Sequence, residues 1–217
     1  MIKNKLVIVW KNTLKEKIFI KELIITIILF VLISGIFTSF LTYNETRTGF
    51  TLSDPILQLL FPVELTVIIF ILIYASVFTA LIILIYNPTR LLFALQVYSL
   101  ILIIRMLLMY LLPLNPPEGL LPLQDPFVEL FGTGETLSRD LFFSGHVATL
   151  FMLFLMFDKK IYKTIFLAST ILVGTALLFQ HVHYTIDVIT APFFVYVSYK
   201  IVFNFKQKLK LACCKQG

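Results

Sequence analysis

The sequence predicts an all-α fold, a polytopic membrane protein built as a six-transmembrane helix bundle. Hydrophobic residues make up 59% of the 217 residues, and the mean hydropathy is +0.95, whereas only about half of a typical soluble domain is apolar. The apolar residues are gathered into long runs, and a run of about 18 or more is typical of a membrane-spanning helix. We therefore expect helix to pack on helix, with lipid around the bundle.

Six apolar segments follow one another along the chain. They cover residues 23–41, 62–86, 91–112, 141–157, 164–179 and 184–205. The fourth and fifth are short, so we expect a tilted neighbour or a locally thin bilayer beside them. This divides the chain into a cytoplasmic amphipathic arm at 1–22, a six-span domain at 23–205 and a basic cytoplasmic tail at 206–217.

Lysine and arginine alternate along the connections as the positive-inside rule predicts. The leading arm, the second connection with Arg90, the lysine-rich fourth connection and the closing tail are basic. The first connection has only Arg47, and the third has only Arg139 among several acidic residues. We therefore expect both termini in the cytoplasm. The richness in Ile, Phe and Lys suggests a bacterial inner membrane, with the other side facing the periplasm or exterior.

Charge and cysteine usage indicate neither a nucleic-acid partner nor a disulfide framework. The net charge is +6, but the lysines lie at the chain ends and in one short loop rather than in a surface patch. The only cysteines, Cys213 and Cys214, are adjacent and have no second pair. In the basic tail they are either sites for palmitoylation or inert thiols.

The third connection, residues 113–140, is the one long loop. Its five prolines exclude a long regular helix. A loop of this length is either a binding lid or a linker, and the sequence leaves both open.

Five ionisable residues from four segments fall at one depth, near the outer surface. They are Glu64, Arg105, His146, His183 and Asp187. Arg105 lies fifteen residues after the inner residue Arg90, about 22 Å along a helix, in a hydrocarbon core about 30 Å thick. The other four open segments on the outer side. Ionisable groups inside a membrane mark functional sites by default, so we expect one water-filled pocket open to the outer leaflet.

The two histidines suit different chemical roles. Residues four apart share a helix face, so Asp187 can hydrogen-bond one ring nitrogen of His183. A carboxylate in this position fixes the imidazole tautomer and stabilises its cationic form, which suits a nucleophile or base. His146 has no acid at helical spacing behind it and is better suited to donate a proton.

The neighbouring residues suit phosphate. Arg105 supplies a fixed positive charge. Ser144 and the amides around Gly145, at a predicted helix N-terminus, can bind phosphate oxygens.

Two other chemistries are weaker alternatives. Two histidines and a carboxylate could hold zinc, but the His183–Asp187 spacing is equally that of an orienting pair, and His181 would point to a different helical face. Ser144 could be the nucleophile with a histidine as base, but Ser-Gly-His lacks the second glycine of a nucleophile elbow. We expect no metal.

Two histidine blocks, RDLFFSGHVATL and HYTIDVITA, resemble the signature blocks of the sphingomyelin synthase-related proteins, within the type 2 phosphatidic acid phosphatase superfamily. The segment RLLFALQVYSLILIIRMLL resembles the third-span motif of that family, and LSDP around Asp54 resembles a remnant of its first-loop motif. The resemblance covers most of residues 52–200. It implies six spans, an active site facing away from the cytosol, and no metal or other cofactor.

The resemblance also implies a catalytic triad of His146, His183 and Asp187. In such a mechanism His183 attacks phosphorus to form a phosphohistidine, and His146 protonates the departing lipid alcohol. The implied function is a lipid head-group phosphotransferase with a phospholipid donor and ceramide or diacylglycerol as acceptor. The alternative is a lipid phosphate phosphatase that uses water. A non-enzymatic lipid-binding or transport protein is a third reading, against which the retention of all three residues argues.

The chain departs from the family pattern in two places. Where the family commonly has Cys-Gly-Asp, this chain has Ser138, Arg139 and Asp140, so an extra positive charge lies beside the substrate. Where the phosphatase branch has Ser-Arg, Ala176 and Leu177 stand here, which favours the transferase. The predicted substrate- and phosphate-binding residues are Arg105, Ser144, Gly145, Asp140, Tyr184, Glu64 and Arg139.

Overall fold

The structure of the protein, a computed structural model, describes residues 2–123 and 137–214. Seven α-helices, joined by irregular segments, make up most of these residues. These helices are α1 (Ile2–Thr13), α2 (Lys17–Glu45), α3 (Thr66–Leu84), α4 (Pro88–Leu111), α5 (Gly145–Met156), α6 (Lys160–Phe179) and α7 (Thr185–Cys214). Within those two ranges there is no β-strand, only an isolated bridge between Phe50 and Leu114. The prediction of an all-α fold is confirmed.

Five of the described helices are long and apolar enough to cross a membrane. They are α2, α3, α4, α6 and the Thr185–Leu209 part of α7, which supports the prediction of a polytopic helical membrane protein. The helix in the fourth predicted segment is shorter than expected. At 12 residues, α5 is about 18 Å long, against a hydrocarbon core of about 30 Å.

The helix ends depend on local capping rather than on where the apolar runs begin. The Asn87 side chain accepts a hydrogen bond from the Arg90 amide at 3.1 Å, and Pro88 occupies the first helical position, so α4 begins before residue 91. At the other end of the chain, α7 continues beyond residue 205. The described part of the predicted basic tail is therefore helical, and so is most of the predicted arm.

The core lies where α5 packs against α3, α4, α6 and α7. Ile69, Leu150, Phe166, Val173 and Val195 are completely buried there. In contrast, α2 packs mainly on α4 and exposes a long apolar surface. This is the pattern expected of a bundle whose outer helices face lipid.

Hydrogen bonds join the connecting segments at both ends of the bundle. At the end where α5 and α7 begin, which we call the site end, Gln180 bridges three segments. Its Oε1 accepts from the Leu65 amide at 3.2 Å, and its Nε2 donates to Thr66 Oγ1 at 2.7 Å and to the Leu121 carbonyl at 3.3 Å. At the opposite end, Trp10 Nε1 donates to the Ile85 carbonyl at 2.8 Å.

Some predictions fall on residues outside the described part of the chain. The residues concerned are 124–136 in the middle of the predicted loop, 215–217 at the end of the tail, and Cys213 and Cys214, whose side chains are not described. The described start of the loop packs on the site end, where the Leu121 amide donates to the Gln180 carbonyl at 3.1 Å.

We expect Gln180→Leu to lower the stability of the protein by about 1–3 kcal/mol, because partly buried backbone groups would lose their hydrogen-bond partners. Thermal unfolding in detergent measures the effect. Gln58→Leu is the matched control, because Gln58 is exposed and the same change should leave the melting temperature nearly unaltered. Equal melting temperatures for both variants would contradict the bridging role.

Candidate active site

His183 and Asp187 form a buried pair at the start of α7. His183 Nδ1 and Asp187 Oδ2 are 3.3 Å apart, and the two residues are 2% and 0% exposed. In the neutral tautomer that donates its Nδ1 proton to this carboxylate, Nε2 keeps its lone pair. The arrangement therefore leaves one ring nitrogen of His183 able to act as a nucleophile or base.

The pair forms through a capping turn, not through a shared helix face. His183 precedes α7, which begins at Thr185. Asp187 Oδ2 also accepts from the Tyr184 amide at 3.1 Å, as the third residue of a helix does in a capping box. The predicted contact is present, but the helical spacing offered as its reason was wrong.

His146 lies opposite His183, on the first turn of α5. The two imidazole rings are 6.5 Å apart between centroids and inclined at 67°. This separation is on the scale of a single phosphoryl group. The backbone links the two turns as well, since the Ser144 amide donates to the Asp187 carbonyl oxygen at 3.2 Å.

Arg105 is buried behind the first turn of α5. It is 4% exposed, its Nη2 lies 2.5 Å from Asp140 Oδ1, and its Nε donates to the Phe143 carbonyl at 3.2 Å. The guanidinium also lies over the Phe37 ring, 5.1 Å from its centroid. Asp140 therefore already balances part of the positive charge of Arg105.

Gly145 allows this arrangement because it has no side chain. A Cβ at this position would lie 2.6 Å from Arg105 Nη1 and 2.8 Å from Cζ. Ser144 caps α5: its hydroxyl oxygen accepts from the Val147 amide at 3.5 Å, and the residue is completely buried. Both residues thus build the N-terminus of α5 that the sequence predicted.

The other predicted residues are arranged differently. Arg139 donates to the carbonyl oxygens of Glu45 and Arg47 at the end of α2, so its guanidinium binds backbone there. The Tyr184 hydroxyl donates to the Asn115 carbonyl at 3.0 Å and accepts from the Leu52 amide at 3.3 Å. Glu64 is exposed, and no described contact joins it to the histidine pair.

His181 lies outside the pair. Its ring Nδ1 is 2.8 Å from the Glu118 carbonyl oxygen, and its backbone has a positive φ of 56°. Among the side chains that the structure describes, no group of three or more His, Cys, Asp and Glu residues is arranged to hold a metal ion.

Asp54 is the residue at this site that the sequence analysis did not select. Its carboxylate accepts from the Thr185 amide at 2.6 Å and from Thr185 Oγ1 at 3.0 Å. Burial acts to raise the pKa of Asp54, but hydrogen bonds from Thr185, Leu57 and Ile56 outweigh it and hold that pKa below its usual value. The resemblance of LSDP to a first-loop motif was the available signal, but no sequence pattern identified Thr185 as the partner of Asp54.

Comparisons of the chain with protein-family models, with curated proteins and with solved structures give no significant match. The resemblance to the sphingomyelin synthase-related proteins therefore stays a prediction.

We expect Gly145→Ala to destabilise the protein by about 1–3 kcal/mol, the usual cost of overpacking a filled site. The physical reason is the contact between the added methyl group and Arg105. Thermal unfolding in detergent is the measurement.

Gly35→Ala is the control for this variant. A Cβ at Gly35 meets nothing within 4 Å, so in α2 the same change should be neutral or stabilising by up to about 1 kcal/mol. A melting temperature for Gly145→Ala at or above that of Gly35→Ala would rule out the close packing of Arg105 on α5.

Proposed function

We propose that the chain crosses the membrane six times, with α5 as a short span. Helices α3, α4, α6 and α7 pack around α5, which supports this because protein rather than lipid then surrounds its ends. The segment before α5 is not helical, and its Leu141, Phe143 and Ser144 are 2%, 0% and 0% exposed. Irregular backbone is tolerated at membrane depth where protein buries it in this way.

The distribution of lysines supports an outward-facing site. Lysines cluster at the start of α2, at the start of α6 and near the end of α7, all at the end opposite the site end. By the positive-inside rule this end faces the cytoplasm. Both termini are then cytoplasmic, and the histidines face the periplasm or exterior of a bacterial inner membrane.

We further infer that the protein is a membrane-embedded lipid head-group phosphotransferase of the outer leaflet. The observation that carries this inference is the buried His183–Asp187 pair with the His146 ring 6.5 Å from that of His183. Two imidazoles at this separation, one of them oriented by a carboxylate, are suited to nucleophilic attack on one side of a phosphoryl group and proton transfer on the other. Ionisable groups within a membrane bundle support a functional role.

The reaction begins with neutral His183 and protonated His146. His183 Nε2 attacks phosphorus, the bond between phosphorus and the lipid alcohol breaks, and His146 gives its proton to the departing oxygen. The imidazolium of His183 that develops is stabilised by Asp187. The acceptor hydroxyl then loses its proton to His146 and attacks phosphorus, which frees His183.

The proposed substrates are membrane lipids, a phospholipid donor and ceramide or diacylglycerol as acceptor. The sphingomyelin synthase-like sequence blocks support this choice, and their histidines and aspartate are the residues brought together at the site. Amides at the N-terminus of α5 are suited to receive phosphoryl oxygens. No cofactor has a role in this mechanism.

Hydrolysis by the same residues, as in a lipid phosphate phosphatase, is the second candidate. A cavity of about 400 Å³ at the site end is lined by Asp54, Glu118, His181 and Tyr184 among other residues. Because Tyr184 directly follows His183, this polar cavity could supply water to a phosphohistidine.

We expect His183→Ala and Asp187→Asn each to abolish turnover of natural phospholipid, because the nucleophile or its orientation is lost. His146→Ala should retain activity on substrates with good leaving groups, which need less protonation. The assay is head-group transfer by purified, folded protein in detergent.

His181→Asn is the matched histidine control. His181 has a positive φ of 56°, a conformation that Asn adopts more readily than most residues, so the variant should fold and keep most of the activity. Near-normal turnover by His183→Ala would refute the phosphohistidine mechanism.

We expect labelled head group to pass from phosphatidylcholine or phosphatidylethanolamine to added ceramide or diacylglycerol, since a lipid hydroxyl is the proposed acceptor. Thin-layer separation of lipids and the water-soluble fraction measures the outcome. Release of inorganic phosphate from phosphatidic acid, assayed in parallel, with no transfer of head group to either lipid acceptor, would replace the transferase by the phosphatase.

A further inference from the structure

Asp54 lies in the connection between α2 and α3, 131 residues before Thr185, yet its carboxylate binds the first residue of α7. We propose that Asp54 is a positioning residue for the reaction, which holds the N-terminus of α7 so that His183 and Asp187 keep their geometry. The inference rests on the proposed function of this pair.

Asp54 is fixed in its own loop before it reaches α7. Its Oδ1 accepts from the Ile56 amide at 3.1 Å and from the Leu57 amide at 3.2 Å. Leu57 is in turn 4% exposed and belongs to a small apolar cluster with Leu141 and Tyr184. Because the Asp54 carboxylate binds both its own loop and Thr185, the position of the loop helps to determine the position of the α7 N-terminus.

The bond to Thr185 is suited to capping. The first amides of a helix have no partner inside the helix, and a negative charge is favourable at a helix N-terminus. The lowered pKa keeps Asp54 ionised at neutral pH. Asp54 therefore caps the N-terminus of α7 from a distant segment, whereas an ordinary N-cap side chain comes from the residue just before the helix.

The catalytic turn depends on this cap through consecutive residues. Thr185 is held by Asp54, and the preceding Tyr184 is held through its hydroxyl by Asn115 and Leu52. The Tyr184 amide is also a donor to the Asp187 oxygen that faces His183. A shift of Thr185 would move this amide and lengthen a His183–Asp187 contact that is already 3.3 Å.

A positioning role and a purely structural role predict different kinetics. If Asp54 only stabilises the fold, the folded fraction of Asp54→Ala turns over at the wild-type rate. If it positions the turn, kcat falls for folded protein while KM stays within about twofold, because loss of an interaction that acts on the transition state alone lowers kcat. Misplacement of catalytic groups by about 1 Å costs up to about 100-fold.

The experiment compares Asp54→Ala, Asp54→Asn and Ser53→Ala in the head-group transfer assay, with folded protein quantified by gel filtration and thermal unfolding. We expect a loss of kcat of about 10- to 100-fold in Asp54→Ala and a smaller loss in Asp54→Asn, whose single side-chain oxygen can accept either from the Thr185 amide or from the loop amides but not from both. The exposed neighbour Ser53 should tolerate alanine without change.

His183→Ala is the reference that separates the two proposals. If it is inactive and Asp54→Ala keeps its kcat, the positioning role is wrong and the proposed function stands. Equal losses in Asp54→Asn and Asp54→Ala, or a rise in KM as the main effect, also overturn the positioning role.

If Asp54→Ala does not fold, Thr185→Val is tested in its place. We expect this variant to lower kcat alone by about two- to fivefold, as one lost hydrogen bond does. An unchanged kcat refutes the inference. Activity in His183→Ala removes both proposals.

Discussion

The burial of the Asp187 carboxylate is the constraint on which the site depends. Burial of a carboxyl group that is 0% exposed is costly unless hydrogen bonds compensate for its lost hydration, and only Oδ2 of Asp187 has such partners among the described residues. Here one carboxylate oxygen faces the His183 ring and the Tyr184 amide, while the backbone oxygen of the same residue accepts from the Ser144 amide. One residue thereby sets the tautomer of an imidazole, closes the first turn of α7 and locates the cap of α5. These contacts join the turn that carries His183 to the cap that precedes His146.

The sequence predicts the existence of the helices well because long apolar runs have few other solutions in a membrane. It predicts their ends less well, because the ends depend on single side chains such as Asn87, which caps α4. The same holds for α5. The apolar run starts at residue 141, but the helix starts only after Ser144, whose side chain provides the cap. Two residues four positions apart can also contact each other either on one helix face or through a capping turn, and the segment HYTID is compatible with both.

Several hydrogen bonds between distant segments were beyond sequence reasoning. Gln180 and Leu65 are 115 residues apart, and Asp54 and Thr185 are 131 apart. A single sequence contains no signal that pairs such residues. Arg139 is another case: its position beside the histidine block predicts a phosphate ligand, whereas the contacts of its guanidinium in the structure are with carbonyl oxygens at the end of α2. Helix C-termini leave such oxygens without partners inside the helix, and a nearby arginine is well suited to them.

The use of arginine at the site end bears on the choice between a transferase and a phosphatase. Arg105 is paired with Asp140, Arg139 binds the end of α2, and Arg47 donates to the Met109 and Tyr110 carbonyls at the end of α4. The arginines of the described site end are thus engaged in holding helices together. A phosphate monoester carries about −1.5 to −2 charges at pH 7, whereas the phosphodiester of a phospholipid head group carries one negative charge. A site whose arginines are engaged in this way, and which offers mainly imidazoles and helix amides to a phosphate, matches the diester better. This electrostatic balance supports the phospholipid donors of the proposed function over lipid phosphate monoesters.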